Sequence, residues 1–544
     1  MTTVSGRLAP CSNRRWRVND DLSPALNEWR AAVGAPNVST DAADRQDAGT
    51  ATFNTSAAVL AILRPGTRDE VQQCVRIANR FTIPLYPIST GKNWGYGSKA
   101  PTRDAVLLDL GRLNRIVDFS EPLAYVTLEP GVTQRQLYDF LQTQRSKLWM
   151  DATGSSPDCS VIGNTLERGF GHTPLGDHCS HVCGFEVVLP TGDVIDTGFS
   201  RFPHARAGAL GRWGVGPSLD GLFSQSNLGI ITRMTVWLMP APEALEVFVF
   251  QSDGPIAPII EALRPLRLDG TLRGVMHIGN DYKVLSGTGP YPWAAAGGKT
   301  PLDEATMARL RRELRITKWS ASGGLYGTRG QVREARSLLR RALAGKVDRL
   351  QFVGPRKLAL LRRIEPAYRA MTKRTDLQRA LIFIPPLLDL LQGIPTESFL
   401  GSSYWRKKMT TNTLNPDVDR CGLLWCSPVA PMRGEDVTAV MDLAREISLR
   451  HGFEPQISIS LINERMTIST VALTYDRDIA GEDDRAMACY QELMRRLTEQ
   501  GYPSYRLNVA SMHYGNAGAE YKNVIRAMKA ALDPNGILAP GRYE

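Results

Sequence analysis

A glycine-dense segment behind a short apolar run constrains this fold more than any other feature. The run Ile83–Tyr86 predicts a strand, and the segment Pro87–Gly97, Pro-Ile-Ser-Thr-Gly-Lys-Asn-Trp-Gly-Tyr-Gly, follows it. Gly91, Gly95 and Gly97 lie close enough together to let backbone N–H groups turn inward toward a phosphate. The spacing is not the dinucleotide fingerprint, and no Gly-Lys-Ser/Thr ends the segment as in a P-loop. Taken alone, the segment is equally compatible with an ordinary loop.

Further motifs follow this segment in a fixed order. They are Ala105–Leu110, Leu128–Thr133, Ser160–Asn164, Glu167–Pro174, Gly176–His178, Phe223–Thr232 and Asp533–Gly541. As an ordered set, the motifs resemble the FAD-dependent vanillyl-alcohol oxidase/4-cresol dehydrogenase family over about residues 50–544. The alternative is an unrelated α/β protein with glycine-rich turns, because single motifs of this kind also arise by chance.

The resemblance implies an α+β architecture. A two-part FAD-binding domain is expected from residues 51–243 and the C-terminal segment 501–544, which returns to the active site. An α+β substrate cap domain is expected from residues 244–500. Residues 1–50 are polar and lack clear periodicity, so they are expected to form an N-terminal surface arm.

Local patterns predict the individual elements. Helices are expected at Thr67–Phe81, with Thr67 as the cap, and at Val132–Leu141, Val437–His451 and Asp484–Gln500. Strands are expected at Ala105–Leu110, Ala124–Leu128, Gly184–Leu189, Ile230–Leu238, Glu246–Gln251, Gln456–Leu461 and Met466–Tyr475. A turn at Pro190–Asp193 predicts a hairpin, and residues 376–422 read as irregular.

Composition limits the classes of function. A hydrophobic content of 43% and a charged content of 22% are ordinary for a soluble globular protein, and no run approaches the ~18 apolar residues of a membrane span. The eight cysteines do not form a disulfide framework, and the start of the chain lacks a secretory pattern, so a cytoplasmic location without membrane partners is expected. The net charge of +10 is spread along helix faces, so nucleic-acid binding is not expected.

The resemblance also implies where FAD binds. The backbone of the segment 89–95 is expected to hold the pyrophosphate, and two further loops and one strand are expected to line the flavin. The implied cofactor-binding residues are Pro87, Ser89, Thr90, Gly91, Lys92, Asn93, Trp94, Gly95, Ser160, Gly163, Asn164, Gly171, Thr173, Gly176, Asp177, Gly229, Ile230, Ile231 and Arg542.

The same resemblance implies a site for a phenol. Two tyrosines and an arginine hold the oxygen of a para-substituted phenol as phenolate, and these positions fall on Tyr96, Tyr505 and Arg506. A phenol of pKa about 10 ionises near neutrality only where positive charge and hydrogen-bond donors favour the anion. The alternative is that Tyr505 packs in the core while Arg506 pairs with a surface carboxylate.

The chain departs from the family where relatives tether the flavin. Leu423 occupies the expected tethering position, no histidine lies between His277 and His451, and the nearest tyrosine is Tyr404. Noncovalent FAD is therefore expected. A thioether from a neighbouring cysteine, Cys421 or Cys426, stays open, although free cysteines are usually buried apolar residues.

The expected active-site carboxylate is also displaced. Its alternative positions are occupied by Ser155 and Ser458, which with Leu423 and Trp425 are expected to line the substrate pocket. Asp158, on a loop longer than expected, is one candidate base. His172 is the other, although a histidine on a loop is more often structural.

A group of histidines and cysteines resembles a metal site only superficially. His178, Cys179, His181 and Cys183 lack a second ligand pair at zinc spacing, and the family motif Gly-Asp-His accounts for His178. No metal is therefore expected.

The leading functional hypothesis is an FAD-dependent oxidase of 4-hydroxybenzylic alcohols or 4-alkylphenols, with O2 as acceptor and hydrogen peroxide as product. The alternatives are a dehydrogenase or hydroxylase that passes electrons to a cytochrome or other carrier protein, and oxidation of a non-phenolic secondary metabolite. A flavin-binding protein without turnover is the least favoured. A homodimer or higher homo-oligomer is expected by analogy.

Overall fold

The structure is a computed structural model that describes residue 17 and residues 20–372, 376–409, 413–515 and 518–544. The first part of the predicted arm, residues 1–16, therefore lies outside the described residues. Among the described residues, no helix combines the length and apolar character needed to cross a membrane.

A mixed sheet carries the glycine-dense segment. Its strands lie in the order Val38–Ser39, Val59–Leu63, Ala105–Asp109 and Leu85–Ile88, the last three parallel. The helix Arg68–Phe81 begins as predicted, because the Thr67 hydroxyl accepts a hydrogen bond from the Glu70 amide at 3.2 Å. The C-terminal segment returns to this sheet, where Leu538 bridges to Leu85 in parallel.

An antiparallel sheet completes the FAD-domain core. Its strands lie in the order Ile116–Ser120, Tyr125–Leu128, Ile230–Trp237, Val182–Val188 and Val194–Asp196. In the chain, the helices Gln134–Thr143 and Val161–Leu166 lie between the strands Tyr125–Leu128 and Val182–Val188. The hairpin predicted at Pro190–Asp193 is confirmed by the antiparallel pairing of the last two strands.

The residues expected to form the cap domain build a large antiparallel sheet. Its strands lie in the order Arg349–Val353, Ala244–Ser252, Trp319–Gly327, Met276–Asn280, Gln456–Leu461, Met466–Asp476 and Cys421–Cys426, with Val429–Pro431 beside Met466–Asp476. One face packs its apolar side chains against the helices Ala257–Leu268, Arg329–Leu343, Gly434–Arg450 and Glu482–Glu499. Because strand side chains alternate between faces, the side chains of the opposite face point away from these helices and can line a cavity.

The remaining elements complete the described chain. The helices are Ser23–Val33, Ala42–Gly49, Asp281–Ser286, Glu304–Leu314, Pro355–Thr372, Asp376–Leu391 and Ala519–Leu532. Short 3-10 helices lie at Ala35–Asn37, His178–His181, Gly198–Arg201, Asp220–Phe223, Leu400–Tyr404 and Met512–Gly515. The short strands Leu148–Trp149 and Met239–Pro240 pair with each other.

Three predictions need correction. The strand predicted at Ile83–Tyr86 lies at Leu85–Ile88, so Pro87 belongs to the strand rather than to the loop. The irregular reading of 376–422 is wrong in its first part, because a helix spans Asp376–Leu391 despite its internal prolines. The arm is not merely superficial: its helix Ser23–Val33 buries Trp29 completely in the FAD-domain core.

Candidate functional site

A cavity of about 1520 Å³ lies between the FAD-domain loops and the free face of the cap sheet. Most of the predicted site residues line it. These are Pro87, Ser89, Thr90, Gly91, Lys92, Asn93, Trp94, Tyr96, Ser155, Ser160, Gly163, Asn164, His172, Gly229, Ile230, Ile231, Leu423, Trp425, Ser458, Tyr505, Arg506 and Arg542.

The glycine-dense segment presents free backbone donors to this cavity. Within the described residues, the amides of Thr90, Gly91, Lys92 and Asn93 donate to no protein acceptor. Gly91 has a φ of +71°, which a side chain would strain. Because buried N–H groups are almost always bonded, unpaired amides along a cavity wall indicate an anionic ligand such as a pyrophosphate.

A second loop is bonded directly to this segment. The Ser160 amide donates to the Thr90 hydroxyl at 3.0 Å, and the Ser160 hydroxyl accepts from the Gly163 amide at 2.8 Å. A Cβ on Gly163 would lie 2.3 Å from the Ser89 hydroxyl oxygen. The absence of a side chain at this position therefore lets the two loops approach and form one wall.

The residues expected to bind a phenol are brought together in a buried cluster. The Arg506 guanidinium lies 4.3 Å from the centre of the Tyr96 ring, and the Tyr96 hydroxyl lies 3.0 Å from the hydroxyl of Ser427. Burial raises the pKa of Tyr505, while Arg506 and a hydrogen bond from Tyr96 oppose that rise. Burial likewise raises the pKa of Tyr96, so both tyrosines are O–H donors at neutral pH.

Glu167 balances the charge of this cluster. Its carboxylate lies 3.3 Å from the Arg506 Nε and also pairs with Arg542, while the Tyr543 hydroxyl donates to it at 3.1 Å. Burial would raise the pKa of Glu167, but Arg542 and Arg506 hold the pKa below its usual value. Arg506 is also positioned by Asn93, whose side-chain oxygen accepts from it at 2.5 Å.

Two imidazoles contact each other at the cavity wall. The ring centres of His172 and His277 are 4.7 Å apart. The His172 Nδ1 lies 3.1 Å from the Ala152 carbonyl oxygen and must donate to it, so Nε2 of the neutral ring keeps its lone pair. Burial lowers the pKa of His172, and it lowers the pKa of His277 to about 3, so both rings are neutral near pH 7.

A buried aspartate organises the loop that carries His172. The Asp151 carboxylate accepts from the amides of His172 at 3.2 Å and Thr173 at 2.6 Å. It also lies 2.6 Å from the His178 Nε2, whose other ring nitrogen bonds Asn164. Among the described residues, no group of histidines, cysteines and carboxylates has the arrangement of a metal site.

Several predicted site residues lie outside the cavity. Gly171, Thr173, Gly176 and Asp177 shape the loop instead: the Gly171 amide donates to the Gly176 carbonyl oxygen at 2.9 Å. Gly95 provides space for the cap, because a Cβ there would lie 1.9 Å from the Trp425 ring.

Asp158 also lies outside the cavity, contrary to the expectation that it could turn inward. Its carboxylate pairs with the Arg135 Nε at 2.9 Å, and its side chain is 46% exposed. The neighbouring Arg135 guanidinium stabilises it on the outer surface.

Among the described residues of the cap, the position expected to tether the flavin has no available nucleophile. Leu423 is buried and lines the cavity. Burial raises the pKa of Cys421 to about 12 and also raises that of Cys426, and neither thiol lines the cavity. The Tyr404 hydroxyl donates to Asp419 at 2.6 Å.

The cavity has far more cationic than acidic side chains. Within the described residues, Glu167 is the one carboxylate that lines it, and Glu167 is already neutralised. The cap contributes Lys283, which sequence reasoning missed because nothing in its local pattern marks it. Glu167 could have been found, since it opens the motif Glu167–Pro174.

The donor set fits FAD. Unpaired amides suit the pyrophosphate. The cavity continues past Ser160 and Gly229 to the face of the cap sheet, where it reaches the cluster of Tyr96, Tyr505 and Arg506 that is expected to bind a phenol, called the phenol cluster below. Leu423 and Trp425 supply an apolar and an aromatic surface beside that cluster. These residues would hold the cofactor, which would supply the acceptor for a hydride.

Comparisons with known proteins agree with this geometry. The FAD binding domain family matches residues 59–198. The chain is 46% identical over 531 residues to 1'-carboxy-chondrochloren decarboxylase of Chondromyces crocatus, covering 96% of this chain and 97% of that protein. It is 30% identical over 544 residues to the flavoprotein subunit of 4-cresol dehydrogenase [hydroxylating] of Pseudomonas putida, covering 96% and 95%.

Solved structures show the same fold. The structure of p-cresol methylhydroxylase with substrate bound superposes with a TM-score of 0.85 at 28% identity, covering 96% of each chain. The 4-ethylphenol oxidase from Gulosibacter chungangensis in complex with isoeugenol gives a TM-score of 0.85 at 29% identity, covering 96% of this chain and 97% of that one. The chain therefore belongs to the vanillyl-alcohol oxidase/4-cresol dehydrogenase family of FAD-linked oxidoreductases.

Proposed function

We propose that the chain oxidises a para-substituted phenol at the carbon attached to the ring, as in a 4-hydroxybenzylic alcohol or a 4-alkylphenol. The observation that carries this proposal is the buried cluster of Arg506 with Tyr96 and Tyr505 at the cavity wall. A permanent cation with hydroxyl donors stabilises a phenolate far better than a neutral phenol. Relatives whose names include 4-cresol and 4-ethylphenol support the same substrate class.

The residues of the chain prepare the substrate for oxidation. Arg506, Tyr96 and Tyr505 hold the phenolate oxygen, and the negative charge moves through the ring as hydride leaves the attached carbon. FAD, when bound, accepts that hydride. Glu167 and Asn93 position Arg506, so its guanidinium is already oriented before the substrate arrives.

Hydride loss converts a 4-alkylphenolate into a quinone methide, which must react further. Addition of water would need a base, and His172 is the residue placed for that role, because its neutral ring has a bare Nε2 at the cavity. Asp158 does not fill this role, since it faces outward toward Arg135.

A second fate, oxidative decarboxylation, is favoured by a specific observation. Ser155 and Ser458 stand where the resemblance places a carboxylate, and among the described residues the cavity is lined by no carboxylate except Glu167, which is already paired with two arginines. Loss of CO2 needs no base. If the quinone methide carries a carboxylate one carbon further along, the C–COO⁻ bond breaks. Its electron pair forms the alkene and restores the phenolate, giving a vinylphenolate and CO2. A relative named a decarboxylase at 46% identity supports this variant.

We also propose that FAD is bound without a covalent tether and is reoxidised by O2 to give hydrogen peroxide. The side chains nearest the tethering position are Leu423 and unreactive, buried thiols. Acid precipitation should therefore leave the FAD in the supernatant, and a yellow pellet would contradict this part of the proposal. Failure of reduced FAD to reoxidise in air would favour an electron-carrier protein as acceptor.

The test removes the charge at the phenolate oxygen. Arg506→Ala should slow anaerobic reduction of the bound FAD by a phenolic substrate at least tenfold, or ~1.4 kcal/mol of barrier, because the anion loses its counter-ion. Tyr505→Phe is a second variant that removes one donor and keeps Glu167 paired with both arginines. Arg495→Ala, which breaks an exposed pair with Glu499 at 3.0 Å, is the matched control and should leave the rate unchanged. A rate for Arg506→Ala within tenfold of the wild type would overturn the phenolate role.

A further inference from the structure

Lys283 is a cation in the cavity without an acidic partner. It lies in the helix Asp281–Ser286, directly after the cap strand Met276–Asn280, and its amide is capped by the Asn280 side chain at 2.9 Å. Its Nζ donates to the Ser402 hydroxyl at 3.1 Å. Within the described residues, no carboxylate oxygen lies within 4.0 Å of this ammonium, and the neighbouring Asp281 pairs with Arg311 instead.

Within the described residues, the cavity wall next to Lys283 is polar and has no carboxylate. Its stem crosses Gly279, where a Cβ would lie 3.4 Å from the Lys283 Cγ. Gly279 pairs in register with Ser458, and both line the cavity. His277 lies on the same face of the sheet. Burial is the largest cause that lowers the pKa of its ring, and the positive charge of Lys283 is a smaller one, so the ring is neutral.

Desolvation of this ammonium costs free energy, which an anionic ligand would offset. Burial lowers the pKa of Lys283 to about 8, and no neighbouring carboxylate opposes that shift. A buried ammonium without a counter-ion gains strongly when a ligand carboxylate binds, because the charge then has a hydrogen-bonded partner.

Ring contacts connect this cation to the phenol cluster. The Tyr505 ring lies 6.0 Å from Phe170, and Phe170 stacks on His277 at 6.2 Å. Tyr505 is thus joined by a row of ring contacts along the cavity wall to His277, which lies on the strand that leads into Lys283.

We infer that Lys283 binds a carboxylate on the para side chain of the substrate, with Ser402 and Ser458 beside it as hydroxyl partners. The inference rests on the proposed phenol oxidation and narrows its substrate class to 4-hydroxyphenyl compounds with an acidic side chain. Ser155 and Ser458 are compatible with such a substrate, because a carboxylate side chain at either position would repel the carboxylate of the substrate.

The test compares the binding of an acid with that of its neutral ester. The probes are 4-coumarate and methyl 4-coumarate, which are titrated calorimetrically into the FAD-loaded full-length protein. Neither probe has an sp³ carbon attached to the ring, so neither can lose a hydride there. The wild type should bind the acid at least about tenfold more tightly than the ester, as expected for a hydrogen-bonded charge pair. Lys283→Met should bring the ratio close to one, and Lys283→Arg should restore most of it.

Lys357→Met is the matched control. Lys357 lines the same cavity but is exposed at its rim, with its Nζ on the Phe352 carbonyl oxygen at 2.9 Å, so its loss should leave the acid-to-ester ratio as in the wild type. An ester that binds the wild type as tightly as the acid, or a preference that survives Lys283→Met, would overturn the inference.

Reduction of FAD by neutral 4-ethylphenol separates the two proposals. If 4-ethylphenol reduces the flavin while the acid shows no preference, the phenol oxidation stands and the role of Lys283 is overturned. If the acid preference depends on Lys283 but no phenol reduces the flavin, the carboxylate site stands and the oxidation fails.

Discussion

At the scale of residues, the site depends on how positive charges are distributed. Arg506 makes two contacts, since its guanidinium lies 4.3 Å from the centre of the Tyr96 ring and its Nε lies 3.3 Å from the Glu167 carboxylate. Family motifs predicted Tyr96, Tyr505 and Arg506. They did not predict Ser427, His277 or Lys283, because the contacts of these residues join segments that are far apart in the chain and no local pattern records them.

The cofactor wall makes a prediction at the same scale. Gly163→Ala should weaken FAD binding about tenfold, because the added methyl would lie 2.3 Å from the Ser89 hydroxyl oxygen and push the two loops apart. The measurement is FAD affinity of the deflavinated protein by fluorescence titration. Gly221→Ala is the control, since a Cβ there meets nothing within 4 Å, and equal losses in the two variants would contradict the assignment.

At the scale of elements, patterning predicted those parts of the fold whose local signals agree. The helix Arg68–Phe81 has a cap, acidic residues in its first turn and one apolar face, and it was found as expected. The helix Asp376–Leu391 was missed because Pro385 and Pro386 lie inside it, and prolines normally end a helix. Each proline lacks the N–H that would donate to the carbonyl four residues earlier, and the packing of Leu387 and Leu391 with Val247 and Tyr326 holds the helix against the cap sheet.

The N-terminal arm makes a stability prediction. Trp29 is completely buried, and its indole nitrogen donates to the Cys74 carbonyl oxygen at 3.1 Å, which joins the arm to the helix Arg68–Phe81. Trp29→Ala should lower the free energy of unfolding by about 3–5 kcal/mol, measured by denaturant titration. Trp213→Ala removes an indole that is 66% exposed and should change the free energy of unfolding little. A loss for Trp29→Ala that is as small as the loss for Trp213→Ala would show that the arm does not contribute to the core.

At the scale of the whole molecule, the site exists only because separate parts of the chain meet. The FAD-domain loops supply the cofactor wall, the cap sheet supplies the opposite face, and the segment after Gly501 brings Tyr505 and Arg506 between them. That segment then pairs Leu538 with Leu85, beside the strand that carries the glycine-dense loop. The family resemblance implied this arrangement, whereas composition and periodicity alone indicate only a large protein that contains both helices and strands.

The measurement that tests the central claim most directly is anaerobic titration of the FAD-loaded protein with matched phenols and ethers, following flavin absorbance. The phenols are 4-ethylphenol, vanillyl alcohol, eugenol and 3-(4-hydroxyphenyl)propanoate, and each is paired with its O-methyl ether, which cannot form a phenolate. We predict that at least one phenol bleaches the flavin while its ether does not, because Arg506 and the two tyrosines act on the anion. A flavin that stays oxidised with every phenol, or that is bleached equally fast by the ethers, would contradict the account.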